Sequence, residues 1–263
     1  MLNKVVDKNC ITPSIGGGLG NNMFMIAHAY AEAIEQNKQL VIPKKQLGHM
    51  DDYKNNIFRK LDFYIDSPDE IINGVSTLYS GYFQSEKYFE KYTEAIKQLF
   101  SPTREFIEYA FKKYPFLNEP TKNIAISIRR GDYLIYTDYH PVVTKEYVDA
   151  ALKKIPEASS NYIVFSDDLK WCRENLQYSP IYFIEAPFYE QLWLMSLCDN
   201  FVISNSSFSW WGAYLSRNKD KIVIAPETWL GPKGPANYND IYCKNWVVLP
   251  TYFKDGYIFP KQA

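Results

Sequence analysis

The chain predicts a two-unit α/β protein in which each unit carries a parallel sheet covered by helices. Three observations carry this. Short apolar runs that read as buried strands begin near Ile124, Tyr162, Ile181, Phe201 and Ile222. Segments with helical spacing lie between them, and that alternation is the mark of a parallel sheet. Near the start, an apolar run, a Gly-rich loop and an amphipathic stretch repeat the arrangement.

Taken in order, Ile11 to Ile15 reads as a strand and Gly16-Gly17-Gly18-Leu19-Gly20 as a loop. A helix is expected from about Asn22 to Gln36, with Met23, Ala27, Tyr30 and Ile34 on one face. Gln39 to Ile42 reads as a second strand. Residues 50–115 are aromatic and less periodic, though Glu105 to Lys113 has helical spacing that Tyr114-Pro115 ends. Asn-Glu-Pro-Thr-Lys at 118–122 suits a boundary, giving units 1–120 and 121–263. In the second unit the helices fall at Asp168–Leu176, Phe188–Leu197 and Phe208–Ser216.

Composition excludes several classes. Aromatic residues make up 17% of the 263, so the chain is not disordered. A net charge of -1 lacks the basic excess of a general nucleic-acid binder. Cys10, Cys172, Cys198 and Cys243 show no zinc spacing and read as reduced thiols. No apolar run reads as a signal peptide or reaches the ~20 residues of a spanning helix, so a cytoplasmic protein is expected.

Polar groups follow the strands at their carboxyl ends, where open parallel sheets bind ligands. They are Arg129-Arg130-Gly131-Asp132, Ser166-Asp167-Asp168, Ser204-Asn205-Ser206-Ser207 and Pro226-Glu227-Thr228-Trp229. Arginine forks match phosphate or carboxylate oxygens. A Ser-rich helix start adds hydroxyls, free N–H groups and the positive dipole end. Arg129, Arg130, Asn205, Ser206 and Ser207 are therefore candidate diphosphate contacts, although an Arg129–Asp132 pair pinning the loop, and simple capping by the serines, fit the same residues. The loop at 16–21 lacks the third glycine of a dinucleotide fingerprint, and no Gly-Lys-Ser/Thr occurs. It still lets backbone approach a ligand closely, with Gly18, Gly20 and Asn21 as candidate donor contacts. An anion site in one of two α/β units suits transfer from a nucleotide-sugar.

Five motifs together resemble bacterial α-1,2-fucosyltransferases of glycosyltransferase family 11. They are Gly17-Gly18-Leu19-Gly20-Asn21-Asn22-Met23-Phe24, Gly81-Tyr82-Phe83-Gln84-Ser85-Glu86-Lys87-Tyr88-Phe89, Arg129-Arg130-Gly131-Asp132-Tyr133, Phe165-Ser166-Asp167-Asp168 and Ser204-Asn205-Ser206-Ser207-Phe208-Ser209-Trp210-Trp211-Gly212-Ala213. The resemblance implies a GT-B-like fold of two Rossmann-like units facing a central cleft. It also implies GDP-fucose as donor, a galactose-containing glycan as acceptor, and inversion without a metal or other cofactor. The donor would bind the second unit and the acceptor the first, where Tyr79, Tyr82, Phe83, Tyr88 and Phe89 are candidates for sugar stacking. Acceptors would be soluble or lipid-linked, the latter allowing peripheral contact with a membrane. Two positions depart from the family pattern: Ser127 stands where a His usually opens the arginine motif, and Asn22 where a Gln is usual.

For such a transfer, Arg129 is expected at the β-phosphate with Arg130 in support, while Asp132 orients the loop. Asp167 and Asp168 have three readings: helix cap, guanine acceptor and, least in keeping with the arginines, metal ligand. Asp138 is nominated as the base that activates the acceptor hydroxyl, with His140 as rival. His28 reads as a packed helical residue.

Overall fold

Contacts in the computed structural model divide the chain into two units, Met1–Pro102 and Thr103–Ala263. Residues 9–43, 53–61, 64–65, 77–156 and 159–262 are described; Lys44, Lys45 and His49 lie outside them.

In the first unit, β1 (Cys10–Pro13) is buried along its whole length. The Gly-rich loop leads into α1 (Leu19–Glu35), which starts three residues earlier than its apolar spacing predicts because Gly18 takes the capping position. Ala29 and Ala33 pack on Ile11, small residues letting the helix approach the strand closely. β2 (Gln39–Leu40) and β3 (Ile42–Pro43) split the single second strand expected. β3 pairs in parallel with β4 (Tyr64–Ile65). β1 lies between β2 and β5 (Thr77–Tyr79), both parallel to it. Short α2 (Thr93–Phe100) buries Ile96, Leu99 and Phe100.

The second unit starts earlier than the sequence suggests. α3 (Arg104–Lys113) is capped by the Thr103 hydroxyl, which accepts from Phe106 N–H at 3.1 Å. Phe106 then meets Trp193 at a ring separation of 4.9 Å, and Phe116 stacks on Tyr182 at 3.9 Å. These ring contacts put 103–118 with the second unit, so the division falls at 102/103 and not at 120/121.

From there the chain runs β6 (Lys122–Ile128), β7 (Val142–Val143), α4 (Lys145–Leu152), β8 (Ser160–Ser166), α5 (Leu169–Asn175), β9 (Ile181–Phe183), α6 (Phe188–Ser196), β10 (Asn200–Ile203), α7 (Ser207–Leu215), β11 (Val223–Pro226) and β12 (Val247–Leu249). Six strands form one sheet in the order β12-β11-β10-β6-β8-β9, and every pair in it is parallel. Its strand order reverses between β6 and β10, which makes the carboxyl ends of these two the crevice of the sheet. One core joins Ile126, Ile128, Tyr147, Val164, Cys172, Val202 and Ile224. All four cysteines are buried and none forms a disulfide, and burial pushes the Cys172 thiol up to about 11.

β13 (Thr251–Lys254) and β14 (Tyr257–Pro260) close the chain as an antiparallel hairpin, and β14 pairs in parallel with β7. The hairpin turn is Asp255-Gly256, both at positive φ (49° and 86°), the turn that suits the twist of paired strands. Neither this hairpin nor α4 is among the elements that the sequence predicts.

Candidate functional site

At the β6 end the two arginines separate in role. Arg130 is buried: its Nε donates to Asp168 Oδ2 at 3.0 Å and its guanidinium lies 4.2 Å from the Trp171 ring centre. Its backbone N–H donates to Asp167 Oδ1 at 2.9 Å. Arg129 stays one-third exposed, with Nη1 2.8 Å from Asp167 Oδ2 and Nη2 2.6 Å from Asp132 Oδ1. A guanidinium carries five N–H donors, so Arg129 keeps capacity for a ligand. Gly131 is required by the close approach of Asp167, whose carboxylate would collide with any side chain there.

Asp168 is also the cap of α5, accepting from Trp171 N–H at 3.0 Å. Burial works against its charge, but the Trp171 N–H and the Arg130 guanidinium outweigh burial and hold its carboxyl below the usual aspartate value. Both carboxylates are thus engaged within the protein: Asp168 as cap and ion-pair partner, Asp167 as the clasp of the arginine loop. A carboxylate has about four acceptor sites, so these contacts stand beside the guanine role expected for one of them. Among the described residues no group of three or more His, Cys, Asp or Glu is arranged to hold a metal.

The β10 end is joined to this cluster. The buried Tyr133 phenol donates to Asn205 O at 3.1 Å and also meets the Ser206 hydroxyl, while Arg129 lies 5.6 Å from the Tyr133 ring centre. Burial raises the Tyr133 pKa, which keeps the phenol a donor. Asn205 acts as a strut: its Nδ2 donates to Pro141 O and Trp229 O, both at 2.9 Å. Ser206 takes the capping position of α7 without a side-chain cap bond. The α7 amino end and half-buried Ser207 therefore remain the open part of the motif. Beneath them Ser127, Ser209 and Ser204 form a buried hydroxyl chain, 2.7 and 3.1 Å apart. Ser127 is thus packed under α7, and its hydroxyl is used there.

Tyr147, on α4, braces the same edge by donating to Ile203 O at 2.7 Å. The fourth group, after β11, anchors the chain end: Glu227 pairs with Lys261 at 2.6 Å and accepts from Thr251 N–H. Asp138 is more than half exposed and pairs with Lys233 at 2.9 Å, and its carbonyl accepts from Lys233 N–H. Sequence reasoning missed Trp171 and Lys233, because nothing in their spacing links them to Arg130 and Asp138.

In the first unit, buried Asn22 donates through Nδ2 to Gly17 O (3.1 Å) and Gly18 O (3.0 Å) and so shapes the glycine loop. Gly17 has φ 77°, and a side chain there would press on Asn21. Gly18 is open and Gly20 is buried in the first turn of α1. Asn21 Oδ1 accepts from Gln84 Nε2 at 2.7 Å, joining the first two motifs. His28 is packed among Phe83, Tyr79 and Tyr88. Of the five aromatics considered for stacking, Phe89 is buried and Tyr79 and Phe83 pack on His28, whereas Tyr82 and Tyr88 are exposed.

Similar solved structures agree on the architecture. A fucosyltransferase NodZ from Bradyrhizobium matches 78% of this chain and 92% of its own at 13% identity, with a TM-score of 0.52. A glycosyl transferase family 9 structure from Veillonella parvula matches 94% of this chain and 87% of its own at 12% identity, also at 0.52. The fold is accordingly GT-B-like, the class of many glycosyltransferases.

The sequence narrows this further. The profile of glycosyl transferase family 11 matches residues 31–250. An alpha-1,2-colitosyltransferase of Escherichia coli is 30% identical over 83% of this chain and 92% of its own length. The O-antigen biosynthesis glycosyltransferase WbnK, also of Escherichia coli, is 30% identical over 64% of this chain and 59% of its own. The chain belongs to glycosyl transferase family 11, and is a glycosyltransferase. No helix among the described residues is long and apolar enough to cross a membrane.

Proposed function

We propose that the chain moves L-fucose from GDP-fucose to the 2-hydroxyl of a galactose-containing acceptor, with inversion and without a metal. The observation that carries this is Arg129: a partly open guanidinium at the strand-order reversal, linked through Tyr133 to the open amino end of α7. As the bond from the anomeric carbon to the β-phosphate breaks, the leaving diphosphate gains charge. Arg129 and the α7 N–H groups are fixed donors that meet it without reorganising. Exposed Asp132 gives up its share of Arg129 to the incoming phosphate, while Asp167 holds the arginine in place. Support for the sugar and donor comes from relatives: galactoside 2-alpha-L-fucosyltransferase of Caenorhabditis elegans is 28% identical over 54% of this chain and 43% of its own length, and NodZ has been soaked with GDP-fucose. The proposed setting is the cytoplasm, on soluble or lipid-linked glycans.

A second reading keeps the mechanism and changes the donor to GDP-colitose, favoured by the colitosyltransferase relative. Incubation with GDP-fucose, GDP-colitose and GDP-mannose over galactose-ended acceptors, with products read by NMR, separates the two. A 1→2 fucosyl product formed at the same rate in saturating EDTA is expected. Product from another donor alone, or a loss that metal restores, overturns the first reading. Arg129→Ala should lower turnover by about a hundredfold or more with the thermal transition intact; near-normal turnover removes Arg129 from the diphosphate.

A further inference from the structure

The segment that leaves the arginine motif shows apolar side chains to solvent. Ile135 is 74% exposed, Tyr136 60%, Leu134 43% and Tyr139 38%. Yet the segment is tied down. Leu134 N–H donates to Arg130 O, Tyr136 N–H to Tyr133 O, and both Tyr139 and His140 N–H to Tyr136 O. Gly231 N–H donates to Tyr139 O and Lys233 N–H to Asp138 O. Gly256 packs on Thr137, where a side chain would meet Thr137 Cβ at 2.6 Å. The result is an aromatic rim held in one place and joined to Arg129 through the rings of His140 and Tyr133. Rigid tyrosine faces suit the C–H face of a hexose and need little ordering to bind it.

His140 ends this segment between the rings of Tyr133 and Tyr139. Its ring stacks on Tyr133 with centroids 4.6 Å apart and planes 14° apart, and Tyr139 meets it edge-on at 4.6 Å. Nδ1 is enclosed and has no hydrogen-bond partner, which leaves Nε2 as the nitrogen on the open side of the half-buried ring. The groups around it are the Tyr133 and Tyr139 phenols and the charges of Asp132 and Arg129. Burial lowers its pKa from the ordinary imidazole value; Arg129 adds to this and Asp132 opposes it. The ring is therefore neutral near pH 7, able to accept a proton, with a carboxylate near enough to favour the cation once formed. Asp138, by contrast, is more than half exposed and pairs with Lys233.

We infer that His140 accepts the proton of the reacting acceptor hydroxyl, and that Tyr136 and Tyr139 hold the acceptor sugar over it. The inference rests on the sugar transfer proposed above. The proton passes to Nε2 as the acceptor oxygen bonds to the anomeric carbon. The bond from that carbon to the β-phosphate oxygen breaks, and its electron pair leaves on GDP beside Arg129. The imidazolium then releases the proton to water, so donor and acceptor give product, GDP and one proton.

The test uses the full chain, a galactose-ended acceptor and calorimetry with GDP. His140→Gln should slow transfer by about a hundredfold to ten-thousandfold with GDP affinity kept. His140→Ala should regain transfer when imidazole is added, which a purely structural role does not predict. In the wild type, kcat/KM should fall on the acid side around a value below the ordinary ~6.5 of histidine, and His140→Gln should lose that limb. Asp138→Asn should keep it, with at most about a fivefold loss from the missing exposed ion pair. Tyr136→Ala and Tyr139→Ala should raise the acceptor KM and leave the donor KM in place. Transfer unchanged in His140→Gln, or an acid limb that follows Asp138 instead, overturns the proton assignment. Unchanged acceptor KM in both tyrosine variants overturns the acceptor surface. A wild-type chain that binds GDP but transfers from no GDP-sugar fails at the proposed function itself, and this inference falls with it.

Discussion

Arg129 and Arg130 are neighbours of one type with different work, and the difference lies in what surrounds each guanidinium. Arg130 is enclosed by Trp171 and Asp168, so its charge is spent on holding the loop. Arg129 has one carboxylate fixed by the loop and one exposed, so a phosphate can compete for it. The adjacency was legible in the sequence, and so was the expectation that one arginine supports the other. The partners were not, since Asp168 and Trp171 lie some forty residues away and reach Arg130 only through the β6–β8 pairing. Asp168→Asn tests the arrangement, because Asn keeps the cap and removes the charge. It should lower stability by about 2 kcal/mol, since hydrogen bonds to charged groups contribute on that scale, or roughly 5 °C in a unit of this size. The pH dependence has a definite sign. The folded pKa of Asp168 is depressed, so its contribution is complete above the ordinary aspartate value of about 3.9 and is lost as pH falls through the folded value. Melting curves of both proteins should therefore converge in acid; a gap that stays constant with pH excludes the ion pair as its cause.

At the scale of elements, the edge of the sheet is set by pieces that carry no reactive groups. α4 places the Tyr147 hydroxyl under Ile203, one residue before the Ser-rich turn. The closing hairpin pairs β14 with β7 and accepts Val142 and Thr144 N–H at Gly256 and Ile258. It thereby fixes the chain on the carboxyl side of His140. Strands β6, β8, β9, β10 and β11 were all legible, because buried parallel strands are continuous apolar runs. The hairpin has half-exposed strands whose apolar runs are short, Tyr252-Phe253 and Tyr257-Ile258-Phe259, and its one strong signal, Asp255-Gly256, is a local turn code rather than a periodicity. Gly256→Ala is the matching test. Its φ of 86° disfavours a side chain, and Thr137 lies where the new Cβ would sit. We expect a loss of more than about 1 kcal/mol, together with a raised acceptor KM because Thr137 belongs to the aromatic rim. Normal stability and normal KM would show that the hairpin does not position the rim.

For the molecule as a whole, the consequential difference between sequence and structure is the length of the second unit. The Pro-containing stretch at 118–122 carries the composition of a linker, and composition is all a sequence offers at such a point. What decides the boundary is ring packing between residues far apart: Phe106 on Trp193 and Phe116 on Tyr182. The stacked pair covers one edge of the sheet beside β9, where Phe116 is 8% exposed. Truncating a buried Phe costs about 3–5 kcal/mol, so removing the whole 103–120 segment takes a large share of the roughly 5–15 kcal/mol that holds a domain folded. A fragment of residues 103–263 should then unfold cooperatively and bind GDP. A fragment of 121–263 should melt at least about 10 °C lower or fail to stay in solution, since roughly 3 kcal/mol already corresponds to that shift. Within 103–263, Phe116→Ala should account for a large part of the difference. Equal melting of the two fragments would return 103–120 to the first unit and place the boundary where the sequence alone puts it.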